Sequence, residues 1–223
     1  MGPTFTELLK DLRSEEESDR RYAVEDLGDL GDPAAIPVLV KALEDEAVAV
    51  REAAADSLIA IGGKEVCEQV LPLLSSDDAR IRNYATEILE QVGAEAVEGL
   101  IRLLGDSSPD VRKFSLDVLG KIGELSEIRA IKDIGSLLDD ENVNVASAAA
   151  EALGRIGDPS AVPVLVKHLS GEPWLQCNIL SALSQIGGEE VRKVFLGIDP
   201  ERLAPEARYY YDMAKHMFDT DRV

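Results

Sequence analysis

Residues 32–62 read DPAAIPVLVKALEDEAVAVREAAADSLIAIG, and the architecture of the whole chain follows from them. Asp32 offers a side-chain oxygen to free backbone amides, and Pro33 suits the first position of a helix. Ile36, Leu39, Val40 and Leu43 then recur at helical spacing and make one apolar stripe. The acidic break Glu44-Asp45-Glu46 ends this first helix. A second helix starts near Val50, with Val50, Ala54, Leu58 and Ile61 as its buried stripe. Gly62 stops it, because glycine lets the chain leave a helix through a left-handed conformation.

The unit repeats. An apolar residue followed by glycine returns at Leu30-Gly31, Ile61-Gly62, Val92-Gly93, Ile122-Gly123, Ile156-Gly157 and Ile186-Gly187, with gaps of 31, 31, 30, 34 and 30 residues between the glycines. A period of that length locked to an apolar pattern marks a repeat array. The second-helix stripe recurs as Ile81, Ala85, Leu89, Val92, then as Val111, Ser115, Leu119, Ile122. It continues as Val145, Ala149, Leu153, Ile156 and as Leu175, Ile179, Leu183, Ile186. The first-helix stripe recurs as Phe5, Leu8, Leu9, Leu12, as Val162, Leu165, Val166, Leu169, and as Val191, Val194, Phe195, Ile198. Thr4 with Glu7 makes a capping box for the opening helix. The 34-residue gap predicts a longer first helix starting near Ser126. Residues 1–17 read as the first helix of the first repeat. Residues 199–223 read as a terminal cap without a clean register, and 1–223 as a single array.

Composition agrees. Of 223 residues 45% are hydrophobic but only 4% aromatic, so the apolar content is mostly small and aliphatic, which suits close helix packing. A net charge of −20 disfavours nucleic acid and anionic membrane surfaces, both of which call for basic patches. No apolar run approaches the roughly 18 residues of a membrane span, and no export signal is visible. Two cysteines in different repeats suggest no disulfide framework, so the expected home is cytoplasmic.

The pair Val50-Arg51, returning as Ile81-Arg82, Val111-Arg112 and more loosely Asp19-Arg20, is similar to the HEAT-repeat family, in particular the short E/Z-type repeats of phycobiliprotein lyases. The resemblance covers nearly the whole chain. It implies an all-α fold, a right-handed α-α superhelix (solenoid) of about six to seven stacked helix pairs, with second helices on the concave side. It also implies that the arginine reaches an acidic residue just upstream, as Asp45 before Arg51 and Asp106 before Arg112, and ties neighbouring repeats together. Ala146 and Gln176 break that pattern, so looser ties are expected toward the C-terminal third.

Six residues into each second helix, Glu25, Asp56, Glu87, Asp117 and Glu151 place a carboxylate at one spot in five consecutive repeats. Tyr22, Tyr84 and Phe114 stand beside that row, and Trp174 precedes the last of these helices. Aromatics next to carboxylates suit a Lys or Arg through ion pairing plus cation–π contact. The same row also reads as a solvated face, and the aromatics as packing between repeats. No catalytic constellation, phosphate cradle or metal spacing is apparent, and His168 and His216 fall in separate repeats. The expectation is therefore a non-catalytic scaffold without metal or cofactor. It would bind a basic helix, tail or loop of a protein partner in its concave groove. A bilin lyase or lyase subunit acting on a tetrapyrrole-carrying protein, and a structural or regulatory subunit of a larger complex, remain open.

Overall fold

The computed structural model of the chain describes residues 3–125 and 130–220. No strand occurs among the described residues. Short and long helices alternate: α1 Phe5–Asp11, α2 Glu17–Leu30, α3 Ile36–Ala42, α4 Val48–Ile61, α5 Gly63–Val70, α6 Ala79–Val92 and α7 Val97–Leu103. They continue as α8 Pro109–Leu125, α9 Ile131–Ser136, α10 Val143–Ile156, α11 Val162–His168, α12 Pro173–Ile186, α13 Gly188–Gly197 and α14 Pro205–Thr220. The chain forms two compact units, Met1–Gly99 and Leu100–Val223.

In the first unit α2 packs on α4 and α4 on α6, with the shorter helices alongside. In the second, α8, α10, α12 and α14 pack in succession. Helices of seven to fourteen residues are marginal alone, so it is the burial of their stripes that holds them. Val50, Ala54 and Leu58 are buried, as are Ile81, Ala85 and Leu89, and as are Val145, Ala149 and Leu153. Each fully buried Leu contributes about 1.5–3 kcal/mol. The second helices approach closely where one partner lacks a side chain. A Cβ on Gly154 would lie 2.8 Å from the Cα of Ala182, and one on Gly120 would lie 3.0 Å from that of Ala152.

The helix ends follow local chemistry. Thr4 and Glu7 form the capping box, and Asp32 accepts from the Ala34 amide before a short 3-10 turn at Pro33–Ala35. Gly31, Gly62, Gly93, Gly157 and Gly187 all have a φ between 60° and 72°, a region that a side chain would resist. Gly123 departs from this rule and lies inside α8.

The longer first helix expected near Ser126 falls on residues outside the described ones. The added residues lengthen the preceding second helix, since α8 has 17 residues where α2, α4, α6, α10 and α12 have 14. The next first helix, α9, is short and begins at Ile131. At the amino end the opening helix stops at Asp11, and α2 is under way by Glu17. At the other end α14 does keep a register. Ala207, Tyr211 and Ala214 are buried, α14 packs on α12, and the Tyr211 ring stacks on Phe195 of α13 with centroids 5.9 Å apart.

The arginine ties run differently from the resemblance. Arg20 takes its carbonyl partners from just upstream, Ser14 and Glu15, but its carboxylate from the following repeat, Asp45, at 2.9 Å through both Nε and Nη2. Arg112 does the same, donating to the Asp106 and Ser107 carbonyls and in bidentate fashion to Asp140 at 2.8 and 2.9 Å. Arg51 donates to the Asp45 and Glu46 carbonyls, yet its Nε is buried without a hydrogen-bond partner. The corresponding turn of the following repeat carries Ser76 where Asp45, Asp106 and Asp140 stand in their own turns.

Gln176 keeps the tie in another form. Its amide donates to the Gly171 carbonyl and accepts from the Ala204 amide, 28 residues on, at 2.9 Å. An amide both donates and accepts, so it suits a forward partner that is a backbone N–H instead of a carboxylate.

Candidate functional site

Successive second helices pack side by side, so their outward residues share one face within each unit. On the first unit that face carries Tyr22 and Glu25 of α2, Asp56 of α4, and Tyr84 and Glu87 of α6. The three acids are exposed, Tyr22 is 56% exposed and Tyr84 is half-buried. On the second unit it carries Phe114 and Asp117 of α8 and Glu151 of α10, with both α8 residues half-buried.

The row of carboxylates is not uniform. Glu25 pairs with Arg21 at 3.6 Å, Asp117 with Lys113 at 2.7 Å and Glu151 with Arg155 at 2.6 Å, each one turn away on its own helix. The aromatics are engaged by the same cations. The Arg21 guanidinium lies 4.8 Å from the Tyr22 ring centre, and the Lys113 ammonium 5.7 Å from that of Phe114. At these two places the chain's own cation joins the aromatic and the acid.

Asp56 and Glu87 differ. Neither has an ion-pair partner among the described residues, and one turn before Asp56 stands another exposed acid, Glu52. Around Glu87 the one-turn neighbours are Asn83 and Gln91, with Tyr84 three residues before it on the same side. Uncompensated negative charge therefore gathers on α4 and α6 around Tyr84. Glu52, Arg21 and Lys113 belong to the face as much as the five aligned acids do. The signal for them was the residue four positions from each acid.

At the third position of the second helices the small residues sit in a seam, whereas Tyr22 stands out from it. Ala53 and Ala148 are buried there, and the Asn178 amide donates to Ser147 on the preceding second helix at 2.9 Å.

Trp174 stands apart from this face. It is half-buried at the start of α12 and lines a cleft of about 400 Å³ with Asp139, Lys167, His168 and Glu172. The His168 Nδ1 lies 2.7 Å from the Val164 carbonyl, and its Nε2 lies 3.2 Å from Asp139 Oδ1.

Neither cysteine is poised as a thiolate. Burial pushes the Cys67 thiol up to about 11, with Glu95 and Glu68 adding to the rise. Burial and Glu206 raise Cys177 as well. Among the described residues no three His, Cys, Asp or Glu side chains form a group able to hold a metal ion. No described helix is long and apolar enough to cross a membrane.

Comparison with known proteins places this geometry. A model of HEAT repeats matches residues 5–90, 67–135 and 131–200. The chain is 34% identical over 106 residues to "Uncharacterized phycocyanin operon protein Z" of Pseudanabaena tenuis (strain PCC 7409), a match covering 44% of this chain and 52% of that protein. The match thus spans about half the length of that curated relative. Among solved structures, a chain of the Kap95p–RanGDP complex superposes with a TM-score of 0.53 at 14% identity, over 94% of this chain and 35% of that one. The complex of CpcE and CpcF of phycocyanin lyase from Nostoc sp. PCC7120 gives a TM-score of 0.40 at 23% identity, over 97% of this chain and 96% of that one. Stacked helix pairs, all-α throughout the described residues, and repeat models running from residue 5 to residue 200 lead to one conclusion: the chain belongs to the HEAT-repeat family, an α-solenoid class.

Proposed function

We propose that this chain is a non-catalytic scaffold that binds a basic segment of a protein partner on the outward face of its second helices. The observation that carries this reading is the uncompensated acidic patch of Glu52, Asp56 and Glu87 around Tyr84, on a face where the other aligned acids are neutralised from within. A cationic segment laid across α4 and α6 would meet carboxylates that have no competing cation to displace. Exposed ion pairs contribute only about 0–1 kcal/mol each, so the patch would act chiefly on encounter rate and register.

The test is the affinity of a peptide of alternating Lys and Ala, measured by fluorescence anisotropy at several salt concentrations. Asp56→Lys with Glu87→Lys should weaken binding at least tenfold and flatten its salt dependence. Unchanged affinity with an unchanged salt slope removes this reading.

The relative from a phycocyanin operon supports a second reading, a lyase subunit handling a tetrapyrrole carried by a protein. The raised thiols of Cys67 and Cys177 do not favour a covalent role for this chain in such a reaction. Absorbance spectroscopy separates the two readings. A shift of the bilin spectrum on mixing with the purified chain supports the lyase subunit, and an unchanged spectrum the scaffold.

A further inference from the structure

The opening repeat departs from the others on the side of its first helices. Among these, α3 packs on α5 and α11 on α13, whereas α1 packs chiefly on α2. Between α1 and α3 a cleft of about 430 Å³ stays open, wholly within the first unit. Leu9 and Leu12 line it from one side and Val38 and Ala42 from the other, all half-buried, with Val50 buried behind them. Two of the four stripe residues of the opening helix thus border a gap where later first helices meet a neighbour.

The rim of this cleft is cationic. Arg13 follows Leu9 by four residues and Lys41 follows Val38 by three, so each cation stands about one turn beyond an apolar wall residue, at the carboxyl end of α1 or α3. Both side chains are exposed and line the cleft, and neither has an ion-pair partner among the described residues. Of the two acids beside them, Asp45 is taken by Arg20 at 2.9 Å, which leaves Glu44 alone against Arg13 and Lys41. In a chain of net charge −20 this is an apolar cleft with an excess of positive charge at its edge.

That combination narrows the ligand. A cation is repelled by Arg13 and Lys41, and a purely polar anion leaves the aliphatic walls in water. Glu44 opposes a doubly charged head such as phosphate. A carboxylate brings one charge and two oxygens that a guanidinium meets side by side, as Arg20 and Arg112 meet Asp45 and Asp140 in this chain. The volume falls in the range of small-molecule sites, roughly 300–1,000 Å³. We infer that the cleft between α1 and α3 binds a small amphipathic carboxylate, its aliphatic chain among Leu9, Leu12, Val38 and Ala42 and its head at Arg13 and Lys41. The site lies on the first helices and does not rest on the scaffold reading.

A cation at a helix C-terminus also offsets the partial negative charge there, a role that calls for no ligand. The experiment separates the two. Decanoate is titrated into the full chain and followed by calorimetry and amide NMR. Decyltrimethylammonium, with the same chain and the opposite head, and butyrate, with the same head and a short chain, are the controls. Decanoate should bind saturably and one to one, with an affinity at least tenfold above either control. Its shifts should centre on the amides of Leu9, Leu12, Lys41 and Ala42. Arg13→Glu with Lys41→Glu, both at exposed positions, should weaken decanoate at least tenfold. The variant's own amide spectrum reports its fold, and Arg13→Gln with Lys41→Gln replaces it should that fold be lost.

Decanoate that does not saturate, that shifts amides away from α1 and α3, or that binds no better than decyltrimethylammonium overturns the inference. So does binding that survives loss of the two cations in a folded variant, which would leave Arg13 and Lys41 as counter-charges to their helix ends and nothing more.

Discussion

At the scale of single residues, the ties between repeats are set by what each turn offers the arginine before it. Arg20 and Arg112 find Asp45 and Asp140, whereas the equivalent position after Arg51 in the repeat register is Ser76, and Arg51 keeps a buried Nε without a partner. Ser76 already accepts from the Asp78 amide, the bond that Asp45 and Asp140 make in their own turns. Ser76→Asp should therefore keep the turn and supply the missing carboxylate. A gain of about 1 kcal/mol is expected, since a bond to a charged donor contributes about 1.5–3 kcal/mol before desolvation is subtracted. Urea denaturation checks it, and an unchanged or lower midpoint would count against the pairing.

The same carboxylates make stability depend on pH. Burial alone would raise Asp45, but the Arg20 guanidinium, the Ala47 amide and the charges of Arg20 and Arg51 outweigh it and hold it below the ordinary 3.8. Asp140 is held down likewise by Arg112 and the Asn142 amide against its burial. A carboxyl lowered by folding stabilises fully above the ordinary value, and that share is lost as pH falls through the folded one. Asp140→Asn should thus cost stability at neutral pH, and its gap from the parent should close as pH drops below 3.8. A constant gap would contradict the ion pair as its source.

At the scale of helices, most of the fold was legible from one repeat, because a 3.6-residue apolar period with a stop signal leaves little choice. The capping box at Thr4, the turn at Asp32-Pro33 and the buried stripes all follow from it. Gly123 was not legible. Glycine stops a helix only where the chain turns away, and α8 runs on through Gly123 to Leu125. The role of Gln176 was hidden too, because its forward partner is a backbone amide that no residue type announces. Gln176→Leu should free that bond and loosen α14 against α12. Hydrogen exchange at Ala204 and along α14 should rise at least tenfold while α10 stays protected. Uniform protection would show that packing of Tyr211 and Ala214 alone secures the helix.

At the scale of the whole chain, the division after Gly99 left no mark in composition, since it falls inside α7 with no linker of Pro, Gly or Ser. The candidate face was half legible. Alignment of the acids followed from the repeat, but their individual states depended on whether a cation stood four residues away. A net charge of −20 still opposes compactness, and salt screens it. The melting temperature should therefore rise by a few degrees between low and physiological salt, whereas binding of a cationic peptide should weaken over the same range. Calorimetry and anisotropy in one salt series check both, and parallel trends would mean that self-repulsion is minor.

Finally, the forward direction of the bonds from Arg20, Arg112 and Gln176 gives the array a polarity for growth and loss. Trimming repeats from the carboxyl side strands a half-sequestered guanidinium or amide whose counterpart has gone. Trimming from the amino side merely releases an aspartate that water solvates at once. Shortened versions should therefore tolerate erosion of their beginning better than erosion of their end.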